Sequence, residues 1–193
     1  MNPSPAITTR IETTRLYLRS YQPADADWYA AMCQKNQPHL TLYESGNAAF
    51  SIHNAADAEK TIREFAASWA EGRAFFLGAF RQDTGEFVAQ IYIGLSDASL
   101  PEYELGYFAD VNHQGQGYVS EAACAALGFI FNQLGAYRVR LECNDANERS
   151  CRVAERCGMM KEGHIRQNNK RPNGEINGTM LYGLLRSEFS ANG

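Results

Sequence analysis

The chain has 193 residues, 45% of them hydrophobic and 11% aromatic, with a formal net charge of −4. That is enough for one domain with a real core and too apolar for a disordered chain, and the sign of the charge argues against general nucleic-acid binding. No apolar run is long enough to cross a bilayer, and Met1-Asn2-Pro3-Ser4-Pro5 lacks the charged and apolar regions of a signal peptide, so a soluble cytoplasmic protein without membrane or nucleic-acid partners is expected.

In chain order, residues 1–10 read as a loose tail and Arg15–Ser20 alternates as a strand. Pro23, tolerated at a first helical position, opens a helix to about Asn36 with Ala24, Trp28, Ala31 and Met32 along one side. Gln37–His53 is aperiodic and reads as a long loop, a kind of segment that often carries function. A second helix starts near Asn54 and buries Ala58, Ile62, Phe65, Ala66 and Trp69. Arg73–Arg81 and Phe87–Ser96 are strands joined by the turn Asp83-Thr84-Gly85-Glu86.

The central stretch follows. Tyr103, Leu105, Tyr107 and Ala109 alternate with Glu104, Gly106, Phe108 and Asp110, the period of a strand. Val119, Ala122, Ala123, Ala126, Leu127, Ile130, Phe131 and Leu134 then follow helical spacing. Tyr137–Asn144 alternates again, Asn147 caps a short helix that ends before Gly158, and Met159–Asn168 and Glu175–Leu185 form a last hairpin. The expected fold is α/β (α+β), one domain over 1–193: a mixed sheet of about seven strands with about four helices on its two faces.

Between central strand and helix lies Asn112-His113-Gln114-Gly115-Gln116-Gly117-Tyr118. A helix N-terminus offers unpaired N–H groups and the positive end of the helix dipole, and glycines let a ligand approach the backbone, so the loop can cradle phosphate. An ordinary strand-to-helix turn is the alternative on the loop alone. The Lys-Ser/Thr ending of an ATP-binding P-loop is missing. Downstream, Tyr137–Arg171 holds nine basic residues against five acidic, a local +4 that leaves −8 for the rest of the chain. This suits a polyanionic cofactor and a cationic or amine substrate, although Arg149, Arg152 and Arg156 also fit a solvated helix face. Five cysteines, Cys33, Cys124, Cys143, Cys151 and Cys157, show no C-x-x-C pair and read as small hydrophobes rather than disulfides or a metal site.

The loop resembles motif A of the GNAT superfamily of acetyl-CoA-dependent N-acetyltransferases, Gln/Arg-x-x-Gly-x-Gly/Ala, with Asn112, Gly115 and Gly117 at its three positions and Asn112 departing from Gln or Arg. Gln114–Ala122 resembles the variant Gln-Gly-x-Gly-Tyr-x-x-Glu-Ala of the RimJ/RimL type, as does Ile11–Arg19 at the start and Gly174, Tyr182 and Leu184 at the end; Gly178 stands where that type has Asp. The order of strands and helices agrees with the GNAT fold over nearly the whole chain. The resemblance implies acetyl-CoA as donor, no metal, and cofactor contacts from Phe108, Val111, Asn112, Gln114, Gly115, Gln116, Gly117, Tyr118 and Val119, with Phe108 or Val111 giving a main-chain N–H to the acetyl carbonyl.

The chemistry needs a deprotonated amine, a polarised carbonyl and a proton for the departing thiolate. Glu104 on the central strand is the candidate general base, with binding of the substrate amine or a wet sheet edge as alternatives. Asn147 is a natural N-cap, and the resemblance adds a contact to the pantetheine arm. Ser150, one turn into the helix, can reach the thioester sulfur and resembles the RimJ/RimL group that steadies the thiolate; back-bonding to the helix is its structural alternative. The position where many family members carry a Tyr acid is Ala154 here. His113 suits a hydrogen-bond donor better than an acid or base. The expected reaction is direct attack in a ternary complex by a monomer or homodimer. A protein or peptide N-terminal α-amine is the first acceptor class, a small amine the second, and a catalytically silent acyl-CoA-binding module the rival reading. In the acceptor-side loop, Thr41-Leu42-Tyr43 follows His39-Leu40 where relatives of this type often have Trp.

Overall fold

The computed structural model describes residues 8–44, 46–171 and 173–189. Eight strands, β1 (Arg10–Glu12), β2 (Leu16–Ser20), β3 (Ala74–Arg81), β4 (Phe87–Asp97), β5 (Glu102–Ala109), β6 (Arg138–Asn144), β7 (Met160–Lys170) and β8 (Ile176–Leu185), form one sheet in the order β1-β2-β3-β4-β5-β6-β8-β7. Four helices, α1 (Ala26–Leu40), α2 (Ala55–Ala70), α3 (Tyr118–Asn132) and α4 (Glu148–Arg156), cover it. The mixed architecture agrees with the sequence expectation, with one more strand. β1 is three residues long and mostly exposed, too short for an alternating pattern, and it exists by pairing antiparallel with β2.

Two apolar cores lie on the two faces. On one, Ala122, Ala123 and Ala126 of α3 let the helix backbone close onto Val88, Ile91, Ile93, Tyr103 and Leu105. On the other, α1 and α2 pack Tyr29, Met32, Cys33 and Ile62 over Phe80, Phe87 and Phe108. Asn54 caps α2 by accepting from the Asp57 N–H at 3.0 Å. α1 runs four residues past its expected end, through Pro38, because Leu40 is buried and the Gln37 amide donates to Ala49 O at 2.8 Å. Tertiary contacts outweigh the local break that Pro38 introduces close to a helix end.

The feature that positions the site is a partial strand pairing. β5 and β6 are the one parallel pair among the described strands, matched only at Glu102↔Arg138, Tyr103↔Val139 and Glu104↔Arg140. Beyond Glu104, β5 stays on β4 out to Ala109, while β6 follows β8 to Asn144. The sheet therefore opens as a wedge, with the unpaired edge of β5 facing the gap.

Candidate active site

A cleft of about 850 Å³ opens where the strands part. Its walls are the end of β5, the loop and first turn of α3, the C-terminal end of α1 with the turn after it, and one face of α4.

The α3 end leaves backbone N–H groups open to the cleft. Gly115 and Gly117 have φ of +74° and +80°, the left-handed region that glycine reaches without strain. A Cβ on Gly115 would meet nothing within 4 Å and would project into open space at the cleft. Gly117 is the N-cap of α3 and no side chain caps it, so the first-turn N–H groups remain available. Arg149, Arg152 and Arg156 of α4 line the same cleft, and Arg149 reaches the loop by donating to Gln114 Oε1 at 2.7 Å. Their helix face is thus the cleft wall rather than only a solvated surface.

Asp110 fixes the loop to the sheet and to α1. Its side chain is fully buried and accepts from Lys35 Nζ at 2.6 Å, Asn36 Nδ2 at 3.1 Å and the Asn112 N–H at 3.0 Å, with His113 Nδ1 at 3.1 Å. Burial pushes its carboxyl up, but these donors outweigh that and hold it below the usual carboxylate range. Asn36 also accepts the Val111 N–H at 2.8 Å. At the other end of the motif, Glu121 accepts from Thr13 Oγ1, Arg15 N and Arg15 Nε at 2.6–2.8 Å, pinning the β1–β2 turn to α3.

At the α4 wall, Asn147 caps the helix by accepting the Ser150 N–H at 3.2 Å, as its position in the sequence implies. Tyr107 Oη donates to Ser150 O at 2.9 Å, and Ser150 Oγ donates to Tyr107 Oη at 3.4 Å. Burial raises the Tyr107 phenol above its ordinary range, with the Ser150 contact opposing, so it stays protonated at neutral pH. Two hydroxyls from different elements thus meet in the wedge. Sequence reading placed Tyr107 on the apolar face and gave no sign that its hydroxyl reaches α4.

Of the residues predicted from sequence, Phe108, Gln114, Gly115, Gly117, Tyr118, Val119, Asn147 and Ser150 line the cleft. Glu104, Val111, Asn112 and Gln116 do not. The Val111 N–H is spent on Asn36 and so is engaged rather than free for a carbonyl. Asp110 N–H bonds Val88 O at 2.9 Å; by the alternation of an antiparallel ladder the Phe108 N–H also faces β4, and those of Tyr107 and Ala109 face the wedge. Asn112 contributes its N–H to Asp110, and Gln116 O accepts from Arg15 at 3.1 Å. Glu104 is held by Arg140 at 2.7 Å within a ladder that also joins Glu102, Arg138 and Glu162. His113 lines the cleft with one ring nitrogen against Asp110. At Gly178 a Cβ would lie 2.5 Å from Ile165 O and 2.6 Å from Asp145 Oδ2, so the packing here leaves no room for an Asp.

Comparison with known proteins decides what this wedge belongs to. A family model for the acetyltransferase (GNAT) domain matches residues 15–160. The chain belongs to the GNAT acetyltransferase family. It is 26% identical over 179 residues to the uncharacterized N-acetyltransferase p20 of Bacillus licheniformis, covering 92% of this chain and 97% of that one. Among solved structures, the ribosomal-protein-S5-alanine acetyltransferase of Vibrio fischeri superposes with a TM-score of 0.84 at 17% identity, over 95% of this chain and all of that one. RimL, a ribosomal L7/L12 α-N-protein acetyltransferase in complex with coenzyme A, superposes with a TM-score of 0.81 at 20% identity over 91% and 97% of the two chains.

The chain is accordingly an N-acetyltransferase with acetyl-CoA as donor. The residues present fit that donor: an uncapped helix N-terminus, two glycines that leave the backbone open, and three arginines for a polyanion. Acetyl-CoA supplies the acetyl thioester, and the protein's part is to bind, orient and move protons. Among the described residues, no cluster of three or more His, Cys, Asp or Glu could hold a metal, and no helix is long and apolar enough to cross a membrane.

Proposed function

We propose that this acetyltransferase acetylates a protein or peptide N-terminal α-amine by direct attack in a ternary complex. The observation that carries the reading is the wedge itself: a cleft of about 850 Å³ joining the anion-receiving end of α3 to an acceptor side framed by His39, Leu42, Tyr43 and Glu44. The names of structural neighbours that act on ribosomal proteins support the acceptor class. In this reading the loop amides of 115–119 and the α4 arginines bind the pyrophosphate, and Asn147 lies along the pantetheine. The Ser150 hydroxyl, backed by Tyr107, steadies the departing thiolate, and the N–H groups on the open edge of β5 receive the carbonyl oxygen.

A small primary amine is the second reading. It is favoured by a separate polar pocket of about 180 Å³ beside Tyr43, lined by Asn144, Asn169, Asn177, Thr179 and Arg171, a size suited to a compact polar acceptor.

The test pairs thermal shifts with acetyl-CoA, CoA and ATP with turnover on peptide N-termini and on small amines. A ligand at about 100 times its Kd adds about 2.7 kcal/mol. Stabilisation by both CoA species with turnover of peptides is the expected result. Turnover of small amines alone would replace the acceptor, and CoA binding with no turnover on any amine would favour a silent module.

A further inference from the structure

Besides Glu142, which lines the polar pocket beside Tyr43 and is paired with Arg140 at 3.5 Å, four carboxylates lie on or near the acceptor side, and three are committed. Asp110 is buried among four donors, Glu104 is paired with Arg140 outside the cleft lining, and Glu148 is paired with Arg152 at 2.9 Å on a side chain 80% exposed. The fourth is Glu44, in the turn after α1. Its backbone N–H bonds Leu40 O at 2.8 Å, which extends the helix end by a turn and brings the side chain to the cleft. One carboxyl oxygen accepts from Asn47 Nδ2 at 2.9 Å, while the other has no hydrogen-bond partner and no cation is paired with it among the described residues. Asn47 in turn caps the short helix that follows by accepting the Ala49 N–H at 2.9 Å, so the group holding Glu44 is itself fixed.

We infer that Glu44, not Glu104, is the group that binds the acceptor ammonium and takes its proton. This rests on the acetyltransfer reading above and names the acceptor-side base within it. Glu44 supplies what an incoming cation needs: a carboxylate with an unpaired oxygen, on the cleft wall across from the α4 residues expected at the thioester. His39 stands beside it in the same lining, with Nδ1 buried and without a partner among the described residues. Burial keeps the His39 ring more neutral than usual, with Asp110 opposing, so it does not compete with the ammonium for the carboxylate.

The proton account balances. The ammonium gives one proton to Glu44. The freed nitrogen lone pair forms the N–C bond as the C–S pair leaves on sulfur, the sulfur takes a proton from the Ser150 hydroxyl, and the proton the new amide nitrogen sheds restores that hydroxyl through solvent. Burial pushes the Glu44 carboxyl up to about 7, with the Asn47 bond opposing. A carboxyl raised into that range lies close to an α-amine of about 7.7–8.0 and can exchange a proton with it. The other titratable groups on the cleft are His39 and Tyr43 beside it, Tyr107, His113 and Tyr118 on the strand-and-loop wall, and Glu148 with the three arginines on α4.

The experiment follows initial rates of wild type, Glu44→Gln, Glu44→Asp and Glu104→Gln on a peptide N-terminus and a small primary amine, from pH 6 to 9 at saturating acetyl-CoA. Gln keeps an oxygen for Asn47, so the turn stays folded, and unchanged melting temperature and acetyl-CoA KM confirm it. Glu44→Gln is expected to lower kcat by roughly 10²–10⁴-fold at pH 7, with the loss shrinking toward pH 9 as the amine arrives neutral, and Glu44→Asp to recover part of it. A Glu44→Gln rate within threefold of wild type at pH 6.5, an equal loss at every pH, or the same pattern in Glu104→Gln overturns the inference while the acetyltransfer reading stands. Wild type without turnover on any amine overturns that reading and this inference with it.

Discussion

Replacing Asp110 with Ala tests whether the cofactor loop is held from beneath by one buried carboxylate. The structure sets the magnitude. Asn36 Nδ2, the Asn112 N–H and His113 Nδ1 each lose a charged acceptor at 3.0–3.1 Å, and hydrogen bonds to charged groups contribute about 1.5–3 kcal/mol apiece, less for the exposed Asn112 and the half-buried His113 than for the buried Asn36. Lys35 is 44% exposed, so its contact with Asp110 is screened and adds no more than ~1 kcal/mol. Asn36 keeps its bonds to Met32 O and the Val111 N–H, which limits the damage. The net cost is about 3–5 kcal/mol, a drop of about 10 °C in melting temperature at roughly 2–4 °C per kcal/mol for a chain of this size. Calorimetry at pH 7 reads the stability, and titration with CoA reads the loop, whose affinity should fall as well. The pH dependence gives a second check. The folded value of Asp110 lies below the unfolded one, so its contribution is full above about pH 3.9 and is lost as pH falls through the still lower folded value. Wild type should therefore lose this increment only below about pH 4, and Asp110→Ala should not show that part of the acid transition. A drop of less than ~2 °C with unchanged CoA affinity would refute the argument.

Gly115→Ala should cost only roughly 1–2 kcal/mol of stability, from placing a Cβ residue at φ +74° in otherwise open space, yet weaken CoA much more; equal affinity to wild type would remove the phosphate-cradle argument. Tyr107→Phe should cost about 1 kcal/mol of stability for its bond to Ser150 O, while Ser150→Ala should slow turnover by roughly 10²–10⁴-fold if its hydroxyl protonates the thiolate; a loss under threefold would make Ser150 structural. Arg149→Ala and Arg152→Ala should each raise Kd for CoA and lessen its salt dependence, since both line the cleft and would face the pyrophosphate in the proposed reading; binding that keeps its salt dependence would return them to the solvated face of α4.

Much of this protein could be read from its residues alone, because periodicity reports burial. The alternation of 103–110 and the helical spacing of 119–134 define β5 and α3, and Gly115 and Gly117 mark the turn between them. Asn147 and Asn54 act where N-cap chemistry puts them. Those features are local, and local sequence fixes them. What the sequence could not decide was which polar side chains meet. A period of two puts Glu104 on a face without naming its neighbour, and pairing with β6 gives it Arg140. The same alternation assigns Tyr107 to the apolar side, and only the parting of β5 from β6 lets its hydroxyl reach Ser150. Asp110 and Asn36 are 74 residues apart in the chain, and Glu44 lies in a stretch without periodicity. The sequence by itself determined the elements and the glycine turn between β5 and α3; the tertiary structure decided which cleft carboxylate has no cation paired with it among the described residues, because ion pairing depends on distances between elements that no local pattern encodes.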